Sequence, residues 1–544
     1  MPISETSQFS PFRYKAFAMI WSTALVSNVG TQFQQVGAGW MMTSLTNSHD
    51  MVALVQAAAT LPLMLFALLA GALADNIDRR SIMLTAQGFM LCAACLLSVL
   101  AWADLLTPWS LLGLTFLLGC GQAMHNPSWQ ASVGDLVPRK EIPQAVLLNS
   151  IGFNMTRSFG PALGGLIVAA AGVASAFALN ALSFLVMLGG LLSWHPEPRK
   201  STLPREDIGR ALMDGISYVG MSPHLLRVLL RGFIFGVAGI SLLALMPVMA
   251  RDVLDVGALS YGLMLGFFGI GAILGGVVNA RFLSAMDTET RIRIGFIGFA
   301  LSLLWLAASR NLWLSAPALA LAGGCWVLNM SLFNVVVQMS APRWVVGRAI
   351  SLFQTAVFGG MALGSWIWGA LSDSVGIQWS LAFSGVAMIG GGLIGLLRPM
   401  PDPAREDLDP LDRFREPELQ LGLEARSGPI AIKVEYIIRH EDIDEFLSLM
   451  SQRRRIRLRD GAHRWALLRD LEQPNIWTES YRVATWTEYL RHNMRRTKAD
   501  ADGIDRIRLL HQGEAPPRAR RMIERPTVPR HDPLPLRPGP EVPH

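Results

Sequence analysis

The hydrophobic pattern along the chain changes character once, near residue 399. Before that point, long apolar runs alternate with short polar breaks; after it, apolar positions are sparse and periodic. A helix pairs every backbone donor and acceptor within the segment, and at about 1.5 Å rise per residue it takes about 20 apolar residues to cross about 30 Å of hydrocarbon. Runs of that kind fall at 14–40, 51–74, 81–103, 108–129, 144–171, 173–194, 225–250, 258–281, 291–309, 312–338, 348–371 and 376–397. The first part therefore reads as an all-α membrane protein with about twelve spans. In the second part, 430–438 alternates as a strand does, and Glu441 to Leu458 carries a helical stripe of Phe446, Leu449 and Met450. Alternation returns at 463–471 and 477–485, a helix follows at 486–498, and 507–511 would be the closing strand. That β-α-β-β-α-β order predicts a small ferredoxin-like α+β domain.

The chain divides accordingly. We expect a six-helix bundle at 1–194, a cytoplasmic linker at 195–224, a second six-helix bundle at 225–398, a further linker at 399–428, the ferredoxin-like domain at 429–513 and a disordered tail at 514–544. Composition agrees with the membrane class. Of 544 residues, 51% are hydrophobic and only 16% charged, too little charge to coat a soluble protein of this size. The mean hydropathy is +0.36. The formal net charge of +6 resides largely in loops, so it orients the protein in the bilayer and does not point to nucleic acid. With the N-terminus inside, the inner segments hold Arg13, Lys15, Arg79, Arg80, Arg139, Lys140, Arg199, Lys200, Arg205, Arg210, Arg281, Arg291, Arg293, Arg343 and Arg348. The outer side holds only Arg251 and Arg310, so both termini are expected in the cytoplasm of a bacterial-type inner membrane. The short polar stretch 1–10 does not read as a secretory signal. Cys92, Cys95, Cys120 and Cys325 lie in apolar helical runs and read as small packing residues, so no metal or other cofactor is expected.

The two halves repeat one another. At one constant offset, Pro138 and Arg139 meet Pro342 and Arg343, Ala145 meets Ala349 and Leu148 meets Leu352. Gly160, Gly165 and Gly172 meet Gly364, Gly369 and Gly376, and Gly71 meets Gly275. Two parallel six-helix repeats are the architecture of a rocking-bundle transporter.

Polar residues inside the spans are candidates for a solute pathway. Asn28, Gln32 and Gln35 share one face of span 1 at i, i+4 and i+7. Span 4 offers Gln122, His125 and Asn126; span 5 offers Asn154 and Arg157; span 10 offers Asn329 and Asn334. A mid-membrane Arg costs about 2.5 kcal/mol or more, so Arg157 should face the bundle interior or a wet cavity. Taken singly, each such polar side chain is more often a satisfied interhelical hydrogen bond than a solute contact. No Asp or Glu falls in the middle of a span, and Asp75, Asp135 and Asp373 lie at the edges.

Gly71-Ala-Leu-Ala-Asp75-Asn-Ile-Asp78-Arg79-Arg80, between spans 2 and 3, resembles the loop signature of the major facilitator superfamily, G-x-x-x-D-[RK]-x-G-[RK]-[RK]. Asn76 and Asp78 depart from it, and the Asp-Arg-Arg form is similar to the transmembrane secretion effector and enterobactin-exporter-like branch. Gly160-Pro161-Ala-Leu-Gly164-Gly165 in span 5 resembles the antiporter signature of the superfamily's exporters, where Pro removes a hydrogen bond and Gly permits close packing. The C-terminal segment is similar to the dimeric domains of the antibiotic-biosynthesis-monooxygenase type. The resemblance implies the major facilitator fold and a secondary exporter of a small siderophore- or drug-like molecule working by alternating access. It implies proton antiport as well, although the spans supply no obvious proton carrier. It also implies a homodimer through the C-terminal domain. The competing reading is a membrane-tethered enzyme or sensor acting through that domain, around His463, Trp465 and Tyr481. No G-x-x-x-x-G-K-[ST] loop is present, against a nucleotide-driven pump. The expected partners are a small-molecule solute and the lipid bilayer.

Overall fold

A computed structural model describes residues 10–76, 78–195, 208–283, 285–342, 344–400, 407–409, 411 and 413–524. Among them are twelve helices of membrane-crossing length. In the first half these are α1 (Lys15–Leu45), α2 (His49–Asn76), α3 (Arg79–Trp102), α4 (Pro108–Leu136), α5 (Ile142–Ala171) and α6 (Val173–Ser193). A shorter helix, α7 (Ile208–Met221), lies within the stretch read as a linker. The second half holds α8 (Pro223–Val248), α9 (Ala258–Val278), α10 (Thr288–Ala308), α11 (Leu312–Met339), α12 (Val346–Val375) and α13 (Ile377–Leu397).

Nine of the described helices are long and apolar enough to cross a membrane by composition alone. The three of similar length that fall short are α1, α4 and α5, the helices in which Asn28, Gln122 and Arg157 stand. Polarity inside a span is costly in lipid, so these helices are the ones expected to turn a face away from it.

Local chemistry sets the helix ends. Thr107 and Ser110 form a reciprocal capping box on α4, with Pro108 in the first turn. Asp78 caps α3 by accepting from the Ser81 backbone N–H at 3.0 Å and from its hydroxyl at 2.7 Å. The repeat is visible in the structure. Helices α5 and α12, and then α6 and α13, begin and end at the same constant offset. The turns between them rest on Gly172 and Gly376, at φ 81° and 88°. This left-handed backbone favours glycine at both positions.

The chain forms two compact units. The first comprises 1–206, 227–337 and 350–402; the second comprises 207–226, 338–349 and 403–544. In the second unit, β1 (Ile430–Ile437), α14 (Ile443–Arg459), β2 (His463–Arg469), β3 (Ile476–Val483), α15 (Trp486–Met494), α16 (Ala501–Leu510) and β4 (Ala519–Ile523) follow in order. The antiparallel sheet runs β2-β3-β1-β4, the ferredoxin-like arrangement. Ile430, Ile432, Val434 and Tyr436 alternate inward along β1 and meet Phe446 and Met450 of α14.

Two expectations are corrected. The closing strand is not 507–511: Ile507 to Leu510 belong to α16 and His511 is its C-cap, the capping box of Thr497 and Asp500 starts the helical turn just ahead of α16, and Ile507 is buried on the helix face. The strand lies instead at 519–523, inside the stretch expected to be disordered, where Ile523 pairs opposite Ile430 on the open edge of β1. Residues 525–544 lie outside the described residues. The stretch at 399–428 is also more than a tether. Leu411 N–H donates to the Arg496 carbonyl at 2.9 Å, and Trp486 N–H donates to the Ser427 carbonyl at 2.8 Å.

The second unit also includes α7 and the segment before α12. The Arg459 guanidinium lies 5.2 Å from the Tyr218 ring centre, and that of Arg495 lies 4.0 Å from the Trp344 ring centre. Tyr218 and Trp344 pack edge to face at 5.4 Å.

Candidate functional site

Helix α5 is the hub of the candidate pathway, because it packs on both α1 and α9. A Cβ placed at Gly160 would stand 2.6 Å from Gln32 Cγ, and one at Gly164 would stand 3.2 Å from the Phe33 backbone. On the opposite side Gly165 faces Gly262, each leaving under 3 Å to the other's Cα if a Cβ were added. Further along, the Ser158 hydroxyl donates to the Gly269 carbonyl at 3.0 Å. The Gly160, Pro161, Gly164 and Gly165 motif thus holds one helix in near-backbone contact with its own half on one side and with the other half on the other.

Arg157 stands one residue before Ser158 and is half-buried. Among the described residues no carboxylate or carbonyl pairs with its guanidinium. Asn154 is exposed, and its amide donates to the Ser150 carbonyl at 2.8 Å. In α1, Asn28 and Gln32 are half-buried but Gln35 is exposed. Gln34 is the buried one, and neither end of its amide has a partner. Adjacent glutamines point about 100° apart on a helix, and the choice between them is not visible in the i, i+4 pattern.

In α4, Gln122 and Asn126 bond to one another, which closes part of their hydrogen-bonding capacity. His125 instead is buried and lies 3.4 Å from the Gln87 amide of α3. Asn329 of α11 is fully buried and donates to the Cys325 carbonyl at 3.1 Å, so it is helix-bound; its amide oxygen is unpartnered. Asn334 is half-buried and has a partner.

The loop signature is partly resolved. Gly71 and Asp75 stand in the last turns of α2, and the surroundings of Gly71 and the Asp75 side chain lie outside what is described. Asp78, where the superfamily pattern has glycine, serves as the α3 cap. Arg79 and Arg80 do not stand free for lipid headgroups. Arg79 donates to the Ala131 carbonyl at 2.7 Å and pairs with Asp135 at 3.0 Å. Arg80 donates to the Leu191 and Leu192 carbonyls, each at 2.9 Å, at the end of α6, where a cation complements the helix dipole.

Two charged groups were not anticipated. Arg231, inside the apolar run of α8, is 1% exposed and pairs with Glu289 at 2.7 Å. Arg293 and the Met400 backbone N–H also donate to Glu289. Arg227 and Arg231, one helical turn apart in an otherwise apolar run, were the signal for it. The second group joins the two halves at the opposite helix ends. Asp373 of α12 accepts from the His49 backbone N–H at 2.7 Å and from the Ser48 hydroxyl at 2.9 Å. The His49 ring lies 2.9 Å from the Ser372 hydroxyl and 3.2 Å from Asp252, while Arg251 donates to the Thr43 carbonyl. No grouping of His, Cys, Asp or Glu suited to a metal occurs among the described residues.

A family model described as transmembrane secretion effector matches residues 6–527. The staphyloferrin A transporter of Staphylococcus aureus is 24% identical, over 68% of this chain and 92% of its own. Macrolide efflux protein A of Streptococcus pyogenes is 21% identical, over 72% and 96%. The enterobactin exporter of Salmonella typhi is 25% identical, over 71% and 92%. Among solved structures, a bacterial homologue of the human lysosomal transporter Spinster, inward-facing and occupied, superposes with a TM-score of 0.58 at 14% identity, covering 71% of this chain and 97% of that one. That likeness concerns the fold.

Proposed function

Because the chain belongs to the transmembrane secretion effector family of major facilitator transporters, we propose that it exports a small, oxygen-rich or anionic molecule, siderophore- or drug-like, by rocking its two halves about α5 and α9. The family makes it a membrane transporter of small molecules. Export and the class of solute are our reading, and relatives named for enterobactin export and macrolide efflux support it. The single observation that carries the solute class is Arg157: a guanidinium inside the membrane region, half-buried, with no protein acceptor among the described residues. Its fork of donors suits carboxylate, phosphate or catecholate oxygens. Asn28 and Gln32 of α1 would line the same route, with Gln32 seated against Gly160, while the buried Gln34, two residues on, points away from that face.

The Lys/Arg bias places both termini in the cytoplasm in this reading. The His49, Asp252 and Asp373 contacts then form the outer gate, closed in this state. Proton coupling draws no support from a carboxylate in mid-span, and its carrier would be a group at a helix end.

The test is solute loss. A strain lacking the gene should retain at least one small molecule that wild-type cells release to the medium, read by mass spectrometry, and reconstituted protein should move that molecule across vesicles. Chains ending at Pro399, compared at matched membrane levels, should keep part of the flux. No difference in the medium, together with complete loss on truncation, would replace the exporter reading with a sensor or enzyme in the second unit.

A further inference from the structure

The second unit contains a cavity of about 580 Å³ with eight arginines and no Asp or Glu in its described lining. That volume suits an organic molecule and exceeds what a single inorganic ion needs. The chemistry of the wall follows from four of the arginines. Arg453 and Arg457, on α14, both pair with Glu479 of β3, at 2.9 and 3.0 Å. Glu479 is fully buried behind them and is held further by the Tyr436 hydroxyl at 3.1 Å and the Trp465 indole at 3.2 Å. One carboxylate therefore serves two guanidiniums. Arg496 adds a third, and it donates to the neutral Asn493 amide oxygen. Arg521 adds a fourth, donating to the Tyr489 hydroxyl at 2.6 Å and to the Ala519 carbonyl.

Four cations facing one anion in a half-enclosed space repel one another, and burial magnifies the cost. The strain registers on Arg496, whose guanidinium is held down to about 10 by burial and then by the charge of Arg457. A fold that keeps such an excess has a use for a counter-charge supplied from outside. The remaining wall is aromatic. Tyr481 stacks under Arg457, 4.3 Å from its guanidinium, and Phe414 meets Tyr489 edge to face at 6.0 Å. These rings offer an apolar surface to the carbon skeleton of a ligand, beside donors for its oxygens.

We propose that this cavity is a binding site for a small organic molecule bearing two or more carboxylate or phosphate groups, distinct from the transport route. The forks of Arg496 and Arg521 would take the oxyanions, and the Tyr481 and Tyr489 rings would flank the body of the molecule.

The experiment is calorimetric titration of the purified full chain in detergent with citrate, with fructose 1,6-bisphosphate and with glucose. Saturable binding of citrate or the bisphosphate, and none of glucose, is expected; which anion binds separates a carboxylate from a phosphate ligand. Arg496→Gln and Arg521→Gln should each weaken that binding at least tenfold, with Arg496→Lys between wild type and Gln. Without ligand, Arg496→Gln should melt at the same temperature as wild type or higher, since it relieves repulsion. Absence of saturable binding by both anions would overturn the site. So would unchanged affinity in the Gln variants, or a lower melting temperature for Arg496→Gln, which would mark that arginine as structural.

Discussion

Arg157 concentrates the question of transport into one side chain. It stands on the helix that touches both halves, one residue from the Ser158 hydroxyl that bonds the Gly269 carbonyl, so solute bound to it would press on the interface itself. Replacing it separates charge from geometry. Arg157→Lys keeps the charge and loses the fork; Arg157→Gln loses both. Flux at matched membrane levels should fall for Lys and fall further for Gln, each variant remaining folded. Equal flux from all three proteins would reduce Arg157 to a structural residue. The sequence alone was enough to single out Arg157, because a charge in an apolar run is expensive wherever it sits. Gln34, Arg231 and the His49 cluster were harder to read. Rotation by one residue separates Gln34 from Gln35, and the partners of His49 stand more than two hundred residues further along the chain.

At the scale of elements, the contact between α5 and α9 is backbone against backbone. A Cβ on Gly262 would stand 2.7 Å from the Pro161 carbonyl oxygen and 2.8 Å from the Gly165 Cα, atoms that cannot rotate aside. Gly276, two turns beyond Gly269 on the same helix, has nothing within 4 Å. Gly262→Val should therefore cost about 1–3 kcal/mol of packing and push the helices apart, lowering flux severely, whereas Gly276→Val should transport normally. Comparable activity of the two variants would mean that the close approach has no part in the cycle. Helix positions were legible from apolar run length throughout the first unit, and glycine spacing marked α5 as a packing surface. The second unit was legible up to α15. Beyond it, Ile507-Arg-Leu-Leu fits a short strand and a helix equally well, and what decided was the Thr497 and Asp500 capping box upstream. Asp78 is a similar case: as a departure from a loop signature it had no evident purpose, and as a helix cap it has one.

For the whole molecule, the repeat and the polar cluster at His49 suggest how one state is held. Ser372 and His49 touch across the two halves, so a short bridge there should arrest the cycle. In a background with Cys92, Cys95, Cys120 and Cys325 changed to Ser, His49→Cys with Ser372→Cys, joined by a short thiosulfonate cross-linker, should lose transport and regain it on reduction. Undiminished flux in the linked protein would remove this contact from the gate. A separate consequence follows from the rings that Arg459 and Arg495 cover. Tyr218 lies upstream of α8 and Trp344 upstream of α12, yet the side chains that blanket them are made more than a hundred residues later. During synthesis these two rings, which pack edge to face on one another, are made before the arginines that cover them. A chain cut before residue 459 would lack both guanidiniums, so the aromatic pair of Tyr218 and Trp344 would lose two of its cation–π partners.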